Sequence, residues 1–138
     1  MGVPGPLHVY RGRVYWSDTD AAQIAHFTSI LRYCERAEEE LIVSRLGGWR
    51  PGTLVFPRVR VECDFKAPLH THDCFRVEIV EARVGEKSII YRFRVYNESR
   101  GWLSAEGSIT VVAFDPRQGR AVEVPGELRR LLEVGSQP

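Results

Sequence analysis

The chain has 138 residues, 43% of them hydrophobic, enough for one domain that buries roughly two-thirds of its unfolded surface and too few for a second. Its 19 basic and 18 acidic residues nearly cancel, so no overall field selects nucleic acid or an anionic membrane as a partner, and neither is expected. Three cysteines, Cys34, Cys63 and Cys74, are an odd number at spacings that fit neither a zinc ribbon nor a redox pair, which points to a reduced, cytoplasmic setting.

Residues 1–7 carry neither a basic n-region nor an apolar h-region, so they read as a flexible tail and not as a leader. No apolar run approaches the ~18 residues of a membrane span. From His8 to Ser17 the bulk of Val9, Val14, Tyr15 and Trp16 predicts a strand, which the Asp18-Thr19-Asp20 turn signal ends. A long amphipathic helix follows over about Phe27 to Leu46. Its apolar positions, Phe27, Ile30, Leu31, Cys34, Ala37, Leu41 and Ile42, keep the 3-and-4 spacing of one buried stripe, and Gly47-Gly48 stops it. Glu38 falls within that stripe, where a carboxylate is costly unless it is paired or sits at the edge of the helix with its stem snorkelling outward, the placement expected here.

The remainder is strand-rich. Val59, Val61, Cys63 and Phe65 alternate with charged residues from Arg58 to Lys66, which predicts one buried face and one wet one. A loop over 67–73 leads to a second strand with Phe75, Val77 and Ile79. The turn Val84-Gly85-Glu86-Lys87 leads to a third with Ile89, Tyr91, Phe93 and Val95. After Asn97 to Gly101 comes a fourth, Leu103 to Phe114, and then a short closing helix over Gly126 to Glu133. One long helix followed by hairpin-connected strands describes an α+β domain whose antiparallel sheet of about five strands covers the helix, and pairing with another copy is the cheapest way to hide the open sheet edges.

A carboxylate beside a helix N-terminus is the chemistry this order of elements brings out. Asp20 can attack a carbonyl, or activate water against it, while the unpaired N–H groups of the first helical turn receive the oxyanion. The alternative reading is that Asp18 and Asp20 only satisfy backbone N–H groups in their own turn, and Asp18 is the more structural of the two. His26 at the helix start is either a proton-exchanging side chain or a hydrogen-bonded packing residue. His70, Thr71, His72, Asp73 and Cys74 contain metal-ligand types but lack a distant partner set, so they read as turn chemistry; no metal is expected. Cys34 and Cys63 read as core atoms.

Asp18-Thr19-Asp20-Ala21-Ala22, His26-Phe27, Cys34 and Ala37, with Cys63-Asp64-Phe65, Pro68-Leu69-His70-Thr71 and Asp73, resemble the hot-dog-fold acyl-CoA thioesterases of the 4-hydroxybenzoyl-CoA thioesterase family, in particular the 1,4-dihydroxy-2-naphthoyl-CoA thioesterases. The resemblance spans about residues 8–133. It implies hydrolysis of acyl-CoA thioesters, aromatic ones among them. It also implies a homodimer or homotetramer with sheets joined edge to edge and sites at the subunit interface, and no cofactor beyond the coenzyme A of the substrate. It assigns Asp20 as catalytic carboxylate and the N–H of Phe27 or of His26 as the group polarising the thioester carbonyl. Lys87 and Ser88, in the 85–88 hairpin, would lie near the coenzyme A arm, with Arg58, Arg60, Lys66, Arg76, Arg92 and Arg94 as further candidate cations for its phosphates. The chain departs from the pattern at Gln23, where glycine is usual and positive φ is cheap, and at Phe27, where many relatives carry histidine. Two other functions share this sequence signature: a hydratase or dehydratase using Asp20 and His26 as an acid/base pair, although the Gly-Asp-x-Asn-Pro type of sequence is missing, and a non-catalytic acyl-CoA binding module.

Overall fold

The computed structural model describes residues 5–47 and 52–135, and its elements run β1 (His8–Arg13), α1 (Phe27–Leu46), β2 (Arg58–Phe65), β3 (Cys74–Val84), β4 (Ser88–Asn97), β5 (Trp102–Val112), β6 (Phe114–Asp115), β7 (Arg120–Ala121) and α2 (Gly126–Gly135). The long helix spans the residues its periodicity predicts. His26 caps its start, and Gly47, in the left-handed conformation at φ 59°, ends it. Gly48 lies outside the described residues, as do residues 1–4 of the expected tail. Leu7 is not tail: it is buried, its N–H donates to the Ile79 carbonyl at 2.7 Å, and its carbonyl accepts from Arg45.

Five strands form one antiparallel sheet in the order β1-β3-β4-β5-β2. Hairpins join β3, β4 and β5, as the turn signals predict. β2 and β3 do not form a hairpin: β2 pairs with β5, so the 66–73 segment carries the chain back across the sheet to the β1 side. Gly107 permits the β2–β5 pairing, since a Cβ there would meet the Glu62 carbonyl oxygen at 2.0 Å. The core lies between the sheet and α1, where Ile30, Cys34, Ala37 and Leu41 of the helix meet Phe75, Val77, Ile79, Phe93 and Val95, and the Tyr33 ring stacks on Phe75 at 4.1 Å. Cys34 is a core atom as expected, its thiol pushed up by burial; Cys63 is half-buried, and all three cysteines are free.

The alternation in β2 overstates its burial. Val59, Val61 and Phe65 are 58%, 46% and 49% exposed: α1 packs over β1, β3 and β4 and meets this edge of the sheet through Glu35 and Glu38 on Arg58 and through Phe27 beside Phe65. Phe27, assigned to the helix stripe by its spacing, is exposed, its ring lying beside Phe65 at the β2 edge and not in the core.

Glu38 is not snorkelling at an edge. It is 8% exposed and bonded to Arg58 of β2, which also reaches Glu35 at 3.5 Å. Burial pushes its carboxyl up to about 7, Arg58 opposing and Glu35 reinforcing the rise. A carboxyl that titrates near 7 when folded and near 4.5 when unfolded holds its proton more tightly in the native state across that window. Its contribution to stability is therefore complete below pH 4.5, falls as pH rises to 7 and is level above. Urea unfolding at pH 4.5 and pH 8 is expected to show the wild type losing about 3 kcal/mol relative to Glu38→Gln between the two conditions. Parallel pH profiles for the two proteins would contradict this.

Candidate active site

Beyond Arg13 the chain leaves the β1 ladder four residues sooner than its composition suggests and curls into a short 3-10 turn at Trp16–Asp18. Asp18 causes this: its Oδ2 accepts the Tyr15 N–H at 3.0 Å. Its carbonyl accepts the His26 N–H at 2.9 Å and the Ser29 hydroxyl at 2.8 Å, tying the turn to the head of α1. Asp18 is thus spent on structure. Burial and the facing Asp18 carboxylate together raise the Tyr33 phenol.

Asp20 opens a second turn. Its N–H donates to Ile24 and its carbonyl accepts from Gln23, both at 2.9 Å, while Oδ1 accepts the Ala22 N–H at 2.8 Å. The side chain remains exposed, and Oδ2 has no protein partner among the described residues. Closing this turn sets Gln23 at φ 64°, the left-handed region that glycine takes freely. The geometry usual for glycine is kept, with a costlier residue in it. Two bonds from Thr71, N–H and Oγ1 both at 3.2 Å to the Gln23 carbonyl, and the Ala25 N–H to Leu69 at 2.7 Å, hold the loop against the 68–73 segment. Gln23→Gly is expected to raise stability by about 0.5 to 1 kcal/mol, the relief of left-handed strain less the added entropy of the unfolded chain. The urea midpoint with unchanged m measures it, and a lower midpoint would refute it.

At the helix head, His26 Nδ1 accepts the Thr28 N–H at 3.2 Å, so the neutral ring carries its proton on Nε2. Of the two N–H groups singled out from the sequence, that of His26 is occupied by Asp18, whereas that of Phe27 has no acceptor among the described residues. The Phe27 ring lies 4.6 Å from the His26 ring and meets Phe65 edge-on at 6.3 Å.

These groups share a cleft of about 550 Å³. The Asp20–Ala25 turn and the helix residues His26, Phe27 and Ile30 make one wall; Phe65 to Leu69 and Ser104 make the other. A carboxylate and an uncommitted backbone N–H in one largely apolar cleft are the components that attack on an acyl carbon requires. Lys66 and Ser104 also line it, and neither was marked for this cleft by the sequence. Ser104 carries no local signal, because it becomes part of the wall only when the β5 strand passes behind the 66–67 backbone, whose N–H groups it accepts at 2.8 and 3.3 Å.

Lys87 and Ser88 are not brought to this cleft within one chain. Ser88 pairs with Val112, at the far end of β5 from Ser104, roughly 27 Å away at about 3.4 Å per residue. Of the candidate cations, Arg58, Arg60, Lys66, Arg76, Arg92 and Arg94 all pair with carboxylates of the same chain. The 70–74 segment is turn chemistry, as read: Asp73 Oδ2 accepts from the His70 N–H, Asn97 Nδ2 and Arg100 Nε at 2.9, 2.7 and 3.0 Å. Burial raises the Asp73 carboxyl, but these donors outweigh it and hold the group below its ordinary value. Among the described residues no group of three or more His, Cys, Asp or Glu is arranged to hold a metal.

Architecture and site together define a hot-dog domain with a carboxylate at the head of its long helix. The family model of the thioesterase-like superfamily matches residues 14–132, and the chain belongs to that family. A 1,4-dihydroxy-2-naphthoyl-CoA hydrolase from Synechococcus sp. (strain CC9605) is 29% identical over 89% of this chain and 87% of its own. The crystal structure of a 1,4-dihydroxy-2-naphthoyl-CoA thioesterase from Synechocystis superposes with a TM-score of 0.86 over 95% of this chain and 98% of that one, at 20% identity. A gentisyl-coenzyme A thioesterase superposes with a TM-score of 0.74 at 26% identity, covering 88% and 98%.

Proposed function

We propose that the protein hydrolyses acyl-CoA thioesters, aromatic acyl groups included, to the free acid and coenzyme A, with Asp20 as the reacting carboxylate. The observation that carries this reading is the sharing of one cleft by the Asp20 carboxylate and the uncommitted Phe27 N–H at the positive end of α1. Family membership and the activities of the relatives support it.

In the reaction, the thioester carbonyl points its oxygen at the Phe27 N–H, and the charge that develops there is stabilised by that donor and by the helix dipole. Asp20 attacks the carbonyl carbon through Oδ2, giving a mixed anhydride that water cleaves, or takes a proton from a water that attacks in its place. On both routes the C–S bond breaks, the thiolate leaves and is protonated by solvent, and one water is consumed. The Ala22 N–H on Oδ1 fixes the rotamer of Asp20 and leaves the other oxygen free. His26 holds the first turn open through Thr28, presenting the Phe27 N–H to the cleft. No metal or organic cofactor enters this scheme.

The active unit proposed is a homodimer, or a homotetramer built from it, with two sheets joined along β2. The exposed Val59, Val61 and Phe65 on that edge support this, as does the position of Lys87 and Ser88, which reach a cleft only if it belongs to a partner. A cytoplasmic setting is proposed on the three free thiols. Release of free thiol from a panel of benzoyl, naphthoyl and aliphatic CoA esters, by the wild type and by Asp20→Asn, tests the reading. No turnover of any ester, or equal turnover by the variant, would overturn it.

A further inference from the structure

Two rings meet across the Asp20 cleft. Phe27, on the first turn of α1, and Phe65, at the end of β2, both line it, and they touch edge-on with centroids 6.3 Å apart. Both are exposed large apolar side chains, so a ligand in the cleft reaches them.

Beyond this pair the gap between α1 and β2 continues as a second groove, of about 240 Å³. Thr28 and Leu31 form its helix side and Val61 its strand side, with buried Ile109 of β5 as the floor. These are the next positions on the same surfaces. Leu31 lies one turn past Phe27, and Val61 lies four residues before Phe65 on the same face of its strand. At 1.5 Å per residue the groove follows α1 for about 12 Å from Phe27 to Glu35. There Arg58 stands 3.5 Å from Glu35 and closes the far end. Neither phenyl ring lines this groove; the two of them stand between it and the cleft.

We infer that Phe27 and Phe65 form a stop that sets the length of the acyl group, their contact partitioning the cleft from the groove so that compact acyl groups are accepted and long straight chains are not. The inference rests on the proposed thioesterase reading and deepens it to the far end of the acyl subsite. A carbonyl held at the Phe27 N–H has its acyl group beside the Phe27 ring, since donor and ring belong to one residue. The coenzyme A arm leaves through the open mouth, and the acyl group points inward. A chain that outgrows the cleft then has two courses. It can enter the groove, which the ring contact bars, or turn back into water, which gives up the apolar burial of every methylene left outside. Either course is a penalty in the transition state, so it reads out in kcat/KM. The proposed pairing along β2 would roof the groove, making it an enclosed channel once a ring is removed.

The test compares kcat/KM for butyryl-, hexanoyl-, octanoyl-, decanoyl- and lauroyl-CoA with that for benzoyl-CoA. The proteins are the wild type, Phe65→Ala, Phe27→Ala and the double variant Phe65→Ala with Leu31→Trp. The wild type is expected to lose at least about 10-fold between hexanoyl- and decanoyl-CoA, and each alanine variant to raise the decanoyl-to-benzoyl ratio by about 10- to 100-fold. Leu31→Trp refills the groove and should return the double variant to the short-chain profile. Ratios within one protein cancel any general loss of activity, and the two alanine variants, on separate elements, guard against one of them failing to fold. A wild type indifferent to chain length would overturn the inference. So would alanine variants that keep the wild-type profile, or a gain for long chains in Phe65→Ala that Leu31→Trp leaves intact. If any of those results accompanies ester cleavage that Asp20→Asn abolishes, the thioesterase reading stands and only the stop falls. If the wild type cleaves no ester, both fall together.

Discussion

Asp20→Asn is expected to lower kcat for acyl-CoA hydrolysis by roughly 10²- to 10⁴-fold with little change in KM or stability. The amide keeps the volume of the side chain and an oxygen that can accept the Ala22 N–H, so the turn survives. What it lacks is the negative charge needed either to attack the acyl carbon or to take a proton from water. Binding persists because the cleft wall is made by Ile24, Phe27, Ile30, Phe65 and Leu69, none of which the substitution touches. Steady-state kinetics on the best ester of the panel, alongside urea unfolding, separates a chemical defect from a folding one. A variant within threefold of the wild type would remove Asp20 from the reaction.

Val61→Lys is expected to convert the proposed dimer to a monomer at micromolar concentration and to take most of the activity with it. Val61 is 46% exposed on an edge strand that α1 does not cover, at one side of a groove shared with Thr28, Leu31 and Ile109. In a two-fold interface each substitution occurs twice, so one lysine per chain places two added charges in the contact. Each costs on the order of a few kcal/mol, which weakens association by at least about 10³-fold. Sedimentation velocity reads the oligomer directly. The fold of the protomer should be intact, because Val61 contributes little to its core. A wild type that sediments as a monomer would sink the proposed assembly, and a monomeric variant with full activity would place the whole site within one chain.

These two expectations draw on different kinds of information. The turn at Asp18 to Asp20 and the span Phe27–Leu46 follow from neighbours close in sequence, through hydrogen bonds and spacings that a short peptide already specifies. For that reason they were legible, and so was the family. Choosing between the His26 and Phe27 N–H groups was not. That choice depends on the Asp18 carbonyl reaching the first of them, a consequence of how tightly the 3-10 turn folds back.

Strand pairing is where the sequence falls silent. Alternation in residues 58–66 predicts a strand with an apolar face but says nothing about which neighbour it takes or whether a helix lies over it. Pairing with β5 put β2 at the edge, left Val61 and Phe65 uncovered and brought Arg58 onto Glu38, a contact that inverted the expected solvation of that carboxylate. The same crossing carried residues 65–69 opposite the Asp20 turn and set Ser104 behind them, while it left Lys87 and Ser88 at the other end of the sheet. The elements, their order and the carboxylate at the helix head were set by local chemistry, because periodicity, capping and turn chemistry act over a few residues. The cleft came only with the fold, since its walls come from segments more than 30 residues apart whose meeting is set by β-ladder register and by the reach of one helix.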